Sequence, residues 1–504
     1  MKSLFALVLA LTIAQLSPQS SPTAVPPPSP SPTPMPTAPI YAGNPAASFR
    51  VISEPTGFDP DGNARWVIKT RFLDAQRHPT RIMANSDIDW LSKDGYVQWQ
   101  TRMRYGQPGA ILKATHDGPL TMTVRVNKPQ LGSITVHTDT RTWKFPRVVA
   151  EALGPHTVQV GWFPRESANV RITRIGSDGN RTVVGIVAGA STFRDTHVNA
   201  GRHYRYVVAR TGRGVASVVA DTPAEPPPTN VSMASGKAMW LFFSDNPIDS
   251  NYYGKWDPQA IVDTAVRAGL HYVELRTAYG AFFEVNPDAK AKVDAVIDGL
   301  AAHGIGTMAW SVPRDTTYED LKASVDSAYY TTAKGTKMTG LAIDVERGDE
   351  FMGGDPQGLT ALWKYMQYLR GAMGPKYLLV ATVEDPYFEH LDNVKYPFEQ
   401  VAQYSDVLQP MSYWRMMNKN PTTAEQVRQM LPDETKRLLE LSKRDLPVSI
   451  GGQTTAEGRN GNPPADEITA SLDAAKASGA IGECFFDWDG TQPYQWDAIA
   501  AYNW

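Results

Sequence analysis

The sequence predicts a multidomain chain in which two β-sandwiches precede a (β/α)8 TIM barrel. Three observations carry that expectation. Residues 236–504 alternate strand-like and helix-like runs eight times. Residues 42–222 hold short alternating strands separated by turn residues. Proline clusters at 21–40 and 224–230 mark the boundaries. Strands followed by helices need right-handed crossovers, which give a parallel sheet. Eight such repeats in about 270 residues fit a closed barrel. The alternative is an open doubly wound sheet, but no glycine-rich phosphate loop follows the first strand.

The opening residues MKSLFALVLALTIAQLS read as a secretory signal over 1–20, with Lys2 as its positive end and an apolar run from Leu4 to Ala14. A retained N-terminal anchor is the alternative. Residues 21–40, SPTAVPPPSPSPTPMPTAPI, read as an extended spacer that cannot pack a core. The expected product is secreted or held at the cell surface, with no further membrane association.

Residues 41–145 carry the runs RWVIKTRFL, YVQWQTRMRY, LTMTVRVN and SITVHT, which predict an immunoglobulin-like sandwich. Trp90, Trp99 and Tyr105 read as core aromatics more readily than as a glycan-binding strip. In 146–223, Trp162 lies on an early strand, and Tyr204, Tyr206, Val208 and Arg210 alternate on a late one. This stretch resembles the fibronectin type III module. A second proline-rich linker covers 224–235.

The barrel strands are expected at 238–243, 272–276, 305–310, 340–344, 377–383, 406–413, 447–452 and 480–486. Amphipathic helices are expected at 258–268, 289–303, 317–332, 357–373, 398–403, 423–442 and 465–478, with a closing helix near 494–502.

Composition excludes several function classes. The 504 residues are enough for three domains, and 42% hydrophobic content supports ordinary cores. Net charge is −3 with both signs dispersed, which gives no reason to expect nucleic acid or an anionic surface as partner. Cys484 is the one cysteine and has apolar neighbours, so a buried thiol is expected and no intrachain disulfide. A secreted chain without disulfides points to a bacterial source.

In such barrels chemistry sits where the strands end. The fourth strand ends in Asp344 and Glu346, spaced i, i+2, so both should face the same way while Leu341, Ile343 and Val345 face the helices. Two adjacent carboxylates cannot both ionise freely, so one pKa should rise. A protonated acid beside a charged one suits glycosidic bond cleavage. The other strand ends offer Ser244 and Asp245, Glu274 and Arg276, Trp310 and Arg314, Glu384 and Asp385, Gln409, Tyr413 and Trp414, Gln453, then Asp487, Trp488 and Asp489. Glu274 and Arg276 read first as an ion pair at the mouth, Trp310 first as core, and Asp487 and Asp489 equally as caps of a turn. The mouth holds no histidine, which argues against a zinc site or a Ser-His-Asp triad. No cofactor and no metal are expected.

The stretch Thr339-Gly340-Leu341-Ala342-Ile343-Asp344-Val345-Glu346 resembles the fourth strand of chitinase-type, family 18 glycoside hydrolases, DGxDxDxE. It keeps the last Asp and the Glu, but Thr339 and Ala342 stand where the first two acids belong. Gln409-Pro410-Met411-Ser412-Tyr413 is similar to that family's sixth-strand M-x-Y element, and Phe486-Asp487-Trp488 to its eighth strand. The fourth strand also looks like that of family 25 lysozymes. The resemblance implies Glu346 as general acid and Asp344 as the group that orients the substrate's 2-acetamido group. It implies Tyr413 as that group's hydrogen-bond partner and Trp488 or Trp414 as the ring under the sugar. Glu274, Arg276, Trp310, Glu384, Gln409 and Asp487 complete the expected binding set. The expected partner is a polysaccharide or cell-wall glycan containing N-acetylhexosamine, met by a monomer. The missing acid at position 342 also fits a non-catalytic, glycan-binding or adhesive surface protein.

Overall fold

A computed structural model describes residues 45–80, 88–100, 109–128, 130–226, 228–242, 257–285, 290–346, 358–387, 396–417, 422–455 and 460–504. The expected signal and first linker therefore lie outside the described residues, as do Ser244, Asp245 and Tyr105 and the side chain of Trp99. Among the described residues no helix is long and apolar enough to cross a membrane.

The N-terminal part contains two pairs of antiparallel sheets. In the first, strands Ser48–Phe58, Ala64–Leu73, Gly109–Ala114 and Tyr96–Gln100 lie side by side, and a second sheet holds Ile88–Leu91, Pro119–Val126 and Ser133–Asp139. Alternate residues of Ala64–Leu73 are buried, as period-2 patterning requires. Trp66, Ile68 and Phe72 meet Leu120, Met122 and Val124 in one core, and Trp90 belongs to it. In the second pair, Arg181–Val187, Val170–Ile175, His203–Arg210 and Gly214–Asp221 face a sheet of Ala190–Asp195, Thr157–Glu166 and Val148–Gly154. Trp162, Tyr206 and Val208 are fully buried between them.

The C-terminal part is the barrel. Its parallel strands are β1 (Gly236–Leu241), β2 (Tyr272–Tyr279), β3 (Gly306–Val312), β4 (Leu341–Val345), β5 (Leu379–Val383), β6 (Val407–Pro410), β7 (Ser449–Gln453) and β8 (Gly482–Phe486). Neighbours pair in chain order from β1 to β6, and β1 pairs β8, which pairs β7. Parallel bridges Leu408–Val448 and Met411–Gly451 bring β6 to β7 and close the ring. At the β1–β8 seam a Cβ on Gly482 would lie 2.7 Å from the Gly236 carbonyl oxygen, so only glycine fits there.

Helices α1 (Pro258–Ala268), α2 (Lys290–Ala302), α3 (Tyr318–Ala328), α4 (Gly358–Met373), α5 (Phe398–Ala402), α6 (Trp414–Met417), α7 (Ala424–Ser442), α8 (Ala465–Ala477) and α9 (Pro493–Ala501) follow. Local chemistry sets several of their starts. Asp257 caps α1 ahead of a first-turn proline, and Thr423 with Gln426 forms a capping box on α7. The short α6 is the one helix here with no counterpart in the sequence expectation.

The first sandwich, the second sandwich and the barrel meet at α3. The Tyr318 backbone N–H donates to Asp61 at 2.8 Å, and its hydroxyl donates to Glu151. Lys113 bridges Glu319 at 2.6 Å and Asp59 at 3.5 Å. Asp59, Asp61 and Glu319 thus crowd around one ammonium. Leu153 of the second sandwich enters the apolar layer between barrel strands and helices.

Candidate active site

Side-chain alternation places the site. Along β4, Leu341, Ile343 and Val345 join the layer shared with the helices, while Ala342 joins the cluster inside the barrel. Asp344 shares the inward face with Ala342, and Glu346 follows it in phase just past the strand end. The same period turns Glu274 and Arg276 of β2, Trp310 of β3, Glu384 after β5, Gln409 of β6 and Phe486 of β8 inward.

Asp344 is 8% exposed, and the Trp310 side chain lies against its carboxyl. Burial holds its carboxyl well above the usual carboxylate range, and the charges of Glu346 and Glu384 push the same way. The Tyr413 hydroxyl is also raised, by burial first and then by Asp344 and Glu346, which places it beside both acids. The Tyr413 ring lies 5.7 Å from Phe486, which stacks on Phe242 at 6.4 Å.

Below this mouth the barrel interior is polar. Thr382 Oγ1 donates to Gln409 Oε1 at 2.7 Å, and Gln409 Nε2 donates to Glu274 Oε1 at 2.8 Å. Glu274 is fully buried and is pushed up to about 7 by that burial. Cys484, also fully buried, lies beside it, and its thiol is raised. Gln409 therefore supports Glu274 in the barrel floor and does not line the mouth.

Several sequence expectations are corrected. Arg276 pairs with Glu284, Nε to Oε2 at 3.1 Å, and not with Glu274. The chain after β2 turns at Gly280 and returns as Phe282–Phe283 antiparallel to β2, which brings Glu284 back. Trp414 is fully buried and donates its indole N–H to Glu467 at 2.9 Å, so it lies in the helix layer, away from the mouth. Trp488 packs edge-on against Trp496 at 4.9 Å in that same layer. The ring inside the mouth at this strand end is Phe486, two residues earlier. Asp487 Oδ1 accepts the Gly490 backbone N–H at 2.6 Å and caps a turn. Trp310, read first as core, is 5% exposed and packs against Trp240 and Phe242.

Sequence reasoning passed over Phe242, Glu284 and Glu434, which makes a buried acid pair behind the mouth with Asp385. Phe242 was legible, two residues beyond inward-facing Trp240. The acid pair is Asp385, raised to about 7 by burial, and Glu434 of α7, raised by burial and by Asp385. Glu434 accepts a hydrogen bond from the Ser412 hydroxyl. Nothing local to Glu434 signals that partnership, because the acid is 49 residues from Asp385 (434 − 385).

No family model matches the chain, and no curated protein does. Solved structures do show similarity. The spore cortex-lytic enzyme SleL from Bacillus cereus is 11% identical, covering 57% of this chain and 77% of that one, with a TM-score of 0.37. A family 18 chitinase from Cycas revoluta is 12% identical, covering 53% and 97%, with a TM-score of 0.37. An endo-1,4-β-D-mannanase from Thermotoga petrophila is 11% identical, covering 50% and 87%, with a TM-score of 0.36. Such distant likeness assigns no residue a role.

Proposed function

We propose that the barrel is a glycoside hydrolase of a secreted or cell-surface protein, acting on a polysaccharide that contains N-acetylhexosamine. The observation that carries the reading is the β4 end. Asp344 is buried, its carboxyl is held above the usual carboxylate range, and it lies near Glu346, Glu384 and Tyr413 at the C-terminal mouth of the barrel.

In this reading Asp344 and Glu346 share one proton, and Glu346 gives it to the glycosidic oxygen as the bond to the anomeric carbon breaks. The oxygen of the substrate's own acetamide closes on that carbon, so no protein nucleophile is needed. Asp344 holds the acetamide N–H, and Tyr413 donates to its oxygen. Water then opens the ring intermediate, returning a proton to Glu346. On a substrate without an acetamide, Glu384 is the candidate nucleophile. Phe486 offers an apolar ring to the sugar, the role first expected of Trp488 or Trp414. The two sandwiches, expected to be immunoglobulin-like and fibronectin type III-like, would present the barrel.

Ala342 favours a second reading. It faces the barrel interior beside Asp344, where the resembled family has an acid. A barrel that binds glycan without cutting it follows from that loss. The test is reducing-end release by residues 41–504 from chitin oligomers, peptidoglycan and neutral β-glucans, beside Glu346→Gln. Release that disappears in the variant supports the hydrolase. Binding by both proteins without release supports the second reading.

A further inference from the structure

We propose that Arg276 forms an anion subsite on the β2–β3 side of the mouth, which binds a carboxylate carried by a sugar of the polymer. The inference rests on the glycan-processing reading of the site and adds the charge of the substrate.

Arg276 is held from two directions. Its guanidinium lies over the rings of Phe242, Tyr279 and Trp310, with centroids at 4.8, 5.5 and 5.8 Å. Its Nε is fixed by Glu284, whose carboxylate is almost fully buried. The side chain still keeps 16% of its surface. Neither Nη1 nor Nη2 makes a hydrogen bond to a described residue.

Two other arginines of comparable burial show what a structural role looks like in this barrel. Arg370 uses Nε on Tyr404, Nη1 on the Gly374 and Tyr377 carbonyls and Nη2 on Asp406. Arg415 uses Nε and Nη2 on Glu467 and Nη1 on Asn460. Both commit all three nitrogens to protein. Arg276 commits one to a described residue, and the distal edge of its stacked guanidinium has no described partner. That edge matches a carboxylate in two parallel bonds.

Its position separates charges. The acids Asp344, Glu346 and Glu384 stand at the ends of β4 and β5, whereas Arg276 stands on β2, next to Trp310 of β3 in register. A second cation, Arg314, lies over Tyr279 at 5.1 Å and donates to its hydroxyl. An anionic substituent is thus drawn to one side of the mouth and repelled from the other, which orients the chain. The ring faces that a neutral sugar would stack on are here covered by the guanidinium. Two sugar chemistries supply such a group: the lactyl ether of N-acetylmuramic acid and the ring carboxylate of a uronic acid.

The experiment is calorimetric binding to residues 41–504 carrying Glu346→Gln, which prevents turnover. The probes are a tetrasaccharide alternating N-acetylglucosamine and N-acetylmuramic acid, a hyaluronan tetrasaccharide, their methyl esters, and chitotetraose. At least one acid should bind roughly 10–100-fold more tightly than its ester, the value of a charge-assisted pair. The arm that shows the ratio names the source of the carboxylate. Adding Arg276→Met should bring the ratio to about 1, and Arg276→Lys should leave it between. Arg276→Met combined with Glu284→Gln removes the stranded acid and guards against misfolding. Equal affinity for acid and ester in both arms overturns the proposal, as does a ratio that survives Arg276→Met or an absence of millimolar binding by every probe. Reducing-end release by the chain with Glu346 intact is read separately. A preserved acid-to-ester ratio without release defeats the hydrolase and leaves the subsite, and release without the ratio does the reverse.

Discussion

At the residue scale the decisive group is the carboxyl, and the barrel sets each one differently. Glu346→Gln keeps the shape of the side chain and removes its proton, so turnover should fall about 10²–10⁴-fold while glycan affinity changes little. Steady-state kinetics beside calorimetry checks both halves. Tyr413→Phe should cost less, about tenfold, because one hydrogen bond is lost and the ring against Phe486 stays. Glu274 allows a test that needs no substrate. Its carboxyl is raised from an ordinary 4.5 to about 7. Between those values the folded chain keeps a proton that the unfolded chain has lost, so stability falls as pH rises through the window. The loss is on the order of 3 kcal/mol. Glu274→Gln should match the parent near pH 4 and melt higher near pH 8, as calorimetric scans at both pH values would show. A parent that melted equally at both ends would deny Glu274 its buried proton.

At the element scale, alternation decided what the sequence could reveal. β4 was legible because a period of two needs no partner: Leu341, Ile343 and Val345 outward fix Ala342, Asp344 and Glu346 inward. The helices were legible through their apolar stripes and caps. The errors fall where a strand ends and the chain turns. Trp488 follows Phe486 by two residues and still points elsewhere, because the chain has left the strand for a turn capped by Asp487. Trp414 opens a helix of four residues that no periodicity can signal. Glu284 reaches Arg276 only through a hairpin. Seams carry their own constraint. Gly482→Ala would push a methyl to 2.7 Å from the Gly236 oxygen and part β8 from β1. A loss of about 1–3 kcal/mol is expected in denaturant titration. Gly479→Ala is the comparison, since nothing lies within 4 Å of its would-be Cβ, although its positive φ adds its own strain.

At the scale of the molecule, the sandwiches and the barrel share side chains. Leu153→Ala lies in the second sandwich by sequence, but it empties space in the barrel's helix layer. It should cost about 2–5 kcal/mol. Hydrogen exchange should show the loss in α3 and α4 as well as in the sandwich. Lys113→Met takes from Asp59 and Glu319 the ammonium they share and leaves Arg65, 3.6 Å from Glu319, as the cation beside the three acids. Asp61 is already pushed up to about 6 by burial. The variant should separate the sandwiches from α3 most readily above that pH, where Asp61 charges, and limited proteolysis at pH 5 and pH 8 would reveal it.

The junction at α3 also bears on how the chain is made. Glu151 precedes its partner Tyr318 by 167 residues, so the second sandwich leaves the ribosome and can close long before α3 exists. When α3 emerges, it meets a finished surface that already displays Leu153, Glu151, Asp61 and Lys113. Synthesis from the N-terminus thus supplies the barrel with a template for the helix that follows β3. A circular permutant that placed the barrel first would have to build that helix against nothing, and should refold slowly even though every contact in its final state is the same.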